Sequence, residues 1–391
     1  MAERVGIEVS LAVAEAAMMA NTDVVAAYPI TPQTHIVEHL AELVADGALD
    51  AAYIPVESEH SAMSACLGAS AAGARTFTAT AGQGLELMHE VLYVASNMQL
   101  PVVMAVANRA LSSPLSVWGD HSDVMSVRDT GWIQIFVENG QESLDNVLCA
   151  FRIAEDPRVL LPIMVHLDGF YLSHVIEPIV YPEQSEVDKF IPPFKYALRL
   201  DTDNPVSMGT FAPPVVYSET KKAQELHLRS TKEVILECWR EFGKQFGRNY
   251  CPVESYHAED ASILMLTMGS FSETAMTAVD KLRGEGMDVG LVRLRLWRPF
   301  PFEELREAVK NADVLIVLDR AISYGGPGGP VCSEIRSALY NEVKKPKVVG
   351  FVGGLGGRDI TVAGFEDIIK KGLDISQNGS EEEFEIYGVR E

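Results

Sequence analysis

The sequence predicts an α/β protein in which mostly parallel sheets are covered by helices on both faces. Two observations carry that prediction. Strand-like runs that are apolar along their whole length, "DVVAAYPI", "AAYIPV", "ARTFTATA" and "PVVMAVAN", alternate with segments of helical period through residue 108. After an irregular stretch the same alternation resumes at residue 261 with "ASILMLTMGS", "DVGLVRLRLWRPF", "DVLIVLDR" and "PKVVGFVGGLGG". A chain of 391 residues has room for two or three cores.

Taken in order, the first helix is expected near residues 6–20, where Glu8 and Glu15 interrupt an apolar run. Its period suits an amphipathic core helix better than a signal peptide. Strands at 23–30, 51–56, 74–81 and 101–108 then alternate with helices at 34–47, after "VESEH", and at 85–98. Gly47, Gly73 and Pro101 punctuate the changes. Residues 175–218 are proline-rich without a period and read as an extended connector. A long amphipathic helix follows to about residue 247, and a second α/β unit begins after it. The division is therefore 1–250, with connector and long helix over about 175–250, and 251–391. The acidic tail "SQNGSEEEFEIYGVRE" reads as a solvated end.

The totals exclude some functions. A net charge of −23 argues against binding nucleic acid or an anionic membrane surface, since both need basic patches. No apolar run approaches the ~18–20 residues of a membrane span. Cys66, Cys149, Cys238, Cys251 and Cys332 are odd in number and never spaced CxxC. Neither a disulfide framework nor a zinc or iron–sulfur site is implied, and a reducing, cytoplasmic setting fits best.

Four stretches could carry chemistry. "YPITPQT" sets Tyr28, Thr31 and Thr34 just after a strand, where ligands gather in open parallel sheets; from pattern alone the favoured reading is a helix cap with proline in the first turn. Glu57 and Glu59 begin a helix of small residues. The helix dipole would favour them there, yet their apolar setting implies burial and a need for a partner. Desolvation would raise such a carboxyl pKa and suit it to sharing a proton. Gly82 and Gly84 occupy a strand-to-helix turn that could approach an anion, without P-loop or GxGxxG spacing. Asn108 and Arg109 end the next strand. That arginine could grip a carboxylate with two parallel bonds, or pair internally with Asp120 or Asp123.

Other features read as structure. His121 beside Asp120 and Asp123 lacks further ligands at suitable spacing, so no metal ligand is assigned. Trp132 has apolar neighbours and reads as core or interface. The glycine loops "YGGPGGPVCSEI" and "VGGLGGRD" read as tight turns or a subunit contact.

Together these stretches resemble the alpha subunit of the 2-oxoacid:ferredoxin oxidoreductases, most closely the pyruvate type. The matching motifs are "YPITPQT", "VESEHSA", "GASAAGARTFTATAGQGLELMHE", "ANRALSSPLSVWGDHSD", "RDTGWIQ", "VLLPIMVHLDGF", "RPFPFEELRE" and "GFVGGLGGRDIT". The resemblance implies a thiamine-diphosphate pyrimidine-binding domain, followed by a smaller α/β domain like the transketolase C-terminal domain. Glu59 would hydrogen-bond the aminopyrimidine ring and favour the imino tautomer that deprotonates the thiazolium carbon. Tyr28 and Gly82 are grouped with it as cofactor-contacting positions. Thr31 would hydrogen-bond the substrate, Arg109 would hold its carboxylate or carbonyl oxygen, and Asn108 would shape the pocket; Glu57 stays structural.

The same resemblance places the diphosphate and Mg²⁺ mainly in a beta subunit and [4Fe-4S] clusters in partner chains of beta, gamma and delta type. Coenzyme A would take the acyl group and ferredoxin the electrons. The family member that uses oxalate has arginine where this chain has Thr31, so a neutral threonine argues for a monocarboxylic 2-oxoacid, with pyruvate first. Changes at Ser113, Leu115, Ser116, Val117 and Gly119 leave room for 2-oxoisovalerate or phenylglyoxylate. A transketolase-like or lipoyl-linked component and a non-catalytic scaffold subunit are the competing readings.

Overall fold

The structure is a computed structural model that describes residues 3–390. Its first part runs β1 (Glu3–Glu8), α1 (Val9–Met19), β2 (Val24–Ala27), α2 (Thr34–Ala45), β3 (Ala52–Pro55) and α3 (Glu59–Ala71). Then come β4 (Thr76–Thr80), α4 (Gln83–Asn97), β5 (Val102–Asn108), α5 (Ser122–Ser126), β6 (Ile133–Phe136), α6 (Gly140–Ala154) and β7 (Ile163–Asp168). A ribbon strand β8 (Ile176–Tyr181), α7 (Gln184–Phe190) and the long α8 (Pro214–Phe246) lead to the second part.

That part contains β9 (Val253–Tyr256), β10 (Ile263–Thr267), α9 (Phe271–Gly284), β11 (Val289–Leu294) and β12 (Leu296–Arg298). It continues through α10 (Phe302–Val309), β13 (Val314–Asp319), α11 (Pro330–Leu339), β14 (Lys347–Val352), α12 (Val362–Asn378) and β15 (Glu385–Ile386).

Strands β4, β5 and β7 are buried at every residue, as expected of central strands with helices on both faces. They lie in a seven-stranded sheet of order β12-β6-β7-β5-β4-β2-β3, parallel except for β12. Because β2, β4, β5 and β7 run the same way, the loops after Ala27, Thr80, Asn108 and Asp168 leave along one edge; Asn108 and Asp168 are direct register partners. The chemistry-bearing loops of the sequence are thus gathered by topology.

The second sheet has order β15-β14-β13-β10-β11-β9. The run "DVGLVRLRLWRPF", read as one strand, is split at Arg295. β11 stays in the second sheet and β12 crosses to pair antiparallel with β6 of the first. Buried Arg295 occupies the crossing and bonds Glu142 at 2.6 Å and Glu254 at 2.9 Å. One charged side chain in an apolar strand thereby fastens the two sheets together.

Several expectations are corrected. The helix expected from residue 6 begins at Val9, because Glu3–Glu8 forms a strand paired antiparallel with β8. Within the stretch read as connector, β8 and α7 are regular, and the long helix starts early, at Pro214, with proline in its first turn. β3 is an edge strand, exposed at three of its four residues, rather than a buried one. The acidic tail supplies edge strand β15, and Tyr387 packs on the second core. No helix among the described residues is long and apolar enough to cross a membrane.

Candidate functional site

The two carboxylates at the start of α3 have opposite environments. Ser58 caps the helix by accepting the Ser61 N–H at 3.2 Å. Glu57 is exposed and accepts the Ser61 hydroxyl, which holds its pKa below the usual range. Glu59, the first helical residue, is only 6% exposed. No hydrogen bond or ion pair reaches its carboxylate from the described residues. A largely buried carboxylate without a partner is costly, which leaves this group open to one.

The turn Gly82–Gln83–Gly84 connects that carboxylate to Arg109. A Cβ on Gly84 would stand 2.7 Å from Glu59 Oε1 and 2.6 Å from Thr80 Oγ1, so glycine alone leaves the carboxylate room. The Thr80 hydroxyl is itself buried without a partner. Gly82 has φ +49°, and a Cβ there would stand 3.0 Å from Arg109 Cδ. Glu59 and the arginine therefore lie against opposite ends of one tight turn.

Arg109 is nearly buried, yet its guanidinium pairs with no carboxylate among the described residues. Nε donates to the Ser116 carbonyl at 2.8 Å and Nη1 to the Thr31 carbonyl at 3.0 Å. Burial lowers its pKa, with Asp123 opposing. Asp123 is bound instead by backbone: one oxygen accepts the N–H of Arg109 at 2.9 Å and of Gly82 at 3.0 Å. The other accepts Asn108 Nδ2 at 3.0 Å and the Val124 N–H at 2.7 Å. Burial pushes its carboxyl up to about 7 against these four donors, whose strongest pulls come from Arg109, Asn108 and Gly82. Neither internal ion pair considered for Arg109 forms.

The remaining candidates lie on the same edge at different depths. Thr31 is exposed on the loop after β2, with only its carbonyl tied down. The Tyr28 carbonyl accepts Gln33 Nε2 at 2.8 Å, and its ring is 36% exposed. Asn108 is fully buried, with its Oδ1 unpartnered. Its Nδ2 donates to Asp123, and it is not among the residues that line the neighbouring cavity.

The second part of the chain holds this loop cluster from behind. Asp168 pairs with Arg320 and accepts His121 Nε2 at 3.2 Å, while its other oxygen accepts the Ser270 N–H at 2.8 Å and hydroxyl at 2.7 Å. Burial opposes ionisation of Asp168, but Arg320 and His121 keep its carboxyl well below the usual range. His121 belongs to this network. Arg320 Nη2 also donates to the Gly119 carbonyl at 2.9 Å, and the Gly356 N–H donates to Asp120 at 2.9 Å. The two glycine loops read as turns help wall a cavity of about 660 Å³ with residues 110–114, Ser116, Ser122, Met125, Ser126 and Arg128.

Sequence reasoning named Gly84 only as part of a turn that could approach an anion, missed Asp168 and Arg320, and left open an ion pair of Arg109 with Asp120 or Asp123 that does not form. A signal existed for Asp168, which ends an apolar strand as Glu59 follows one; Arg320 offered none. Gly84 and the unpartnered Glu59 fit an aromatic nitrogen heterocycle, because the carboxylate has room beside it and lacks a hydrogen-bond partner. No group of metal-ligating side chains among the described residues includes Glu59 or Arg109. The five cysteines are free, four of them buried.

Comparison with known proteins bears on these features. Residues 15–239 match the family model "Pyruvate flavodoxin/ferredoxin oxidoreductase, thiamine diP-bdg", and residues 261–365 match "Pyruvate:ferredoxin oxidoreductase core domain II". The chain is 51% identical to pyruvate synthase subunit PorA of Methanothermobacter thermautotrophicus, covering 93% of this chain and 94% of that one. It is 45% identical to ketoisovalerate oxidoreductase subunit VorA of Pyrococcus horikoshii, covering 97% and 96%.

Among solved structures, a 2-oxoglutarate:ferredoxin oxidoreductase from Magnetococcus marinus superposes with a TM-score of 0.71 at 21% identity. That match covers 95% of this chain and 66% of the other, and it speaks for the fold alone.

Proposed function

The chain belongs to the pyruvate flavodoxin/ferredoxin oxidoreductase family, and from that membership we propose that it is the alpha-type subunit of a thiamine-diphosphate-dependent pyruvate:ferredoxin oxidoreductase. The complex would convert pyruvate, coenzyme A and oxidised ferredoxin into acetyl-CoA, CO₂ and reduced ferredoxin. The observation that carries the reading is the buried Glu59 carboxylate, which has no partner among the described residues and is given room by Gly84.

When bound, thiamine diphosphate supplies a carbon nucleophile and an electron sink for decarboxylation. Glu59 would hold a proton against a pyrimidine ring nitrogen, and its burial keeps water from competing for it. Tyr28 and Gly82 would line that ring. Arg109 keeps Nη2 free of partners among the described residues while its other nitrogens are anchored on two carbonyls, so one charged donor can face the substrate carboxylate. Thr31 would add a hydroxyl donor, and Asn108 would act through Asp123. The diphosphate, Mg²⁺ and [4Fe-4S] clusters would be held by partner subunits of beta, gamma and delta type. The 1–250 and 251–391 division remains our reading of the chain, supported by the two sheets and bridged by β12.

A single guanidinium and a neutral Thr31 suit a 2-oxoacid with one carboxylate. The likeness to a ketoisovalerate oxidoreductase subunit supports a second reading, the same chemistry on a branched-chain acid. Ferredoxin reduction by the copurified complex, compared for pyruvate, 2-oxoisovalerate and phenylglyoxylate with coenzyme A, separates them. Highest kcat/KM with pyruvate is expected; dependence on lipoamide in place of ferredoxin would overturn the class.

A further inference from the structure

Away from the Glu59 turn, three residues distant in sequence converge: Glu8 at the end of β1, His35 in the first turn of α2, and His174 in the turn between β7 and β8. One carboxylate oxygen and one ring nitrogen from each histidine lie within 4.8 Å of one another. The geometry points to a site for a single divalent transition-metal cation of the zinc class, built from Glu8, His35 and His174.

The alternative is a simple ion pair, since His35 Nδ1 lies 2.6 Å from Glu8 Oε1. That pair leaves His174 unexplained. The His174 ring stands 4.6 Å from the His35 ring, centroid to centroid, at 40°. Two imidazoles bound to one ion at about 2.1 Å, at angles from about 90° to 110°, place their centroids roughly 4.5–5.3 Å apart, and the observed spacing lies at the near end of that range. Nitrogen and carboxylate donors of this number suit zinc, with the remaining positions open to water.

The surroundings prepare His174 for that role. Its Nδ1 lies 2.7 Å from the Ser173 hydroxyl, which also accepts the Phe170 N–H at 2.9 Å, so one side of the ring is fixed and Nε2 is left as the ligand atom. Phe170 packs on His174 at 4.5 Å and on Trp118 at 4.6 Å, fixing its face. Glu8 and His35 are only partly covered, which leaves an entry path. A bound cation would pin β1, α2 and the β7–β8 turn together.

The test is zinc content of the purified complex after chelator treatment and equilibrium dialysis against zinc chloride, measured by mass spectrometry. Wild type should hold one more zinc per copy of this chain than the His35→Asn/His174→Gln double variant, saturating by about 10 µM free zinc. Glu8→Gln, which keeps size and shape, should weaken that zinc by more than the roughly 10–100-fold cost of losing an outer-sphere partner. Ser173→Ala should weaken it within that range. Equal zinc content in wild type and either ligand variant, with assembly intact by gel filtration, overturns the proposal. The count is independent of turnover, so it stands or falls apart from the proposed reaction.

Discussion

Asp123 accepts the backbone N–H of Arg109 at 2.9 Å through the same oxygen that accepts the N–H of Gly82 at 3.0 Å. A single carboxylate therefore fixes the end of β5 and the start of α4 relative to each other, and with them the guanidinium and the turn that borders Glu59. Only the ionised form accepts all four of its donors. The fold raises its pKa from 3.8 to about 7, so the proton is bound more tightly folded than unfolded. This group's contribution to stability thus falls as pH rises from about 4 to about 7. Activity should move the other way, with kcat/KM dropping below an apparent pKa near 7. In Asp123→Asn that limb should flatten at a lowered plateau; an unchanged pH profile would remove Asp123 from the positioning role.

Glu59→Gln keeps the shape of the side chain and removes its proton-accepting charge. Turnover by the assembled complex should fall at least about a hundredfold, in the range of a lost general acid–base group. Subunit composition by gel filtration should not change. Near-normal turnover would discard the assignment.

Gly84→Ala sets a methyl 2.7 Å from Glu59 Oε1 and 2.6 Å from Thr80 Oγ1. Displacement of the carboxylate should cut kcat, with overpacking costing about 1–3 kcal/mol in urea unfolding. Gly68→Ala is the control, because a Cβ there meets nothing within 4 Å, and it should leave both quantities near wild type.

Arg109→Lys retains charge but cannot bridge the Ser116 and Thr31 carbonyls while presenting a further donor to substrate. KM for the 2-oxoacid should rise at least about tenfold, and kcat should fall as the carboxylate loses orientation. Initial rates against substrate concentration test this, and an unchanged kcat/KM would place Arg109 outside the site.

Arg295 is 1% exposed and neutralises Glu142 and Glu254 where the two sheets join. Arg295→Met leaves buried Glu142 without its cation and Glu254 with Arg293 alone at 2.6 Å, and should cost about 3–5 kcal/mol. Thermal unfolding of wild type and variant reads the loss, and an equal Tm would show that the crossing strand holds the sheets without the ion pairs.

What the sequence determined is what local chemistry can encode. Apolar runs separated by helical periods announced parallel sheets, and the placement of Thr31, Glu59, Gly82 and Arg109 after strands marked one edge of one sheet. Local signals failed where distant segments decide. Glu3–Glu8 is a strand because Ile176–Tyr181 pairs with it, and β3 is exposed because no strand lies beyond it. Glu57 and Glu59 look alike in sequence, yet helix geometry turns one to solvent and seals the other against Gly84. Asp123, Asp168 and Arg320 became legible only in three dimensions, since a buried charge is defined by partners 14, 41 and 152 residues away. Burial makes those partners matter, because water is no longer there to replace them.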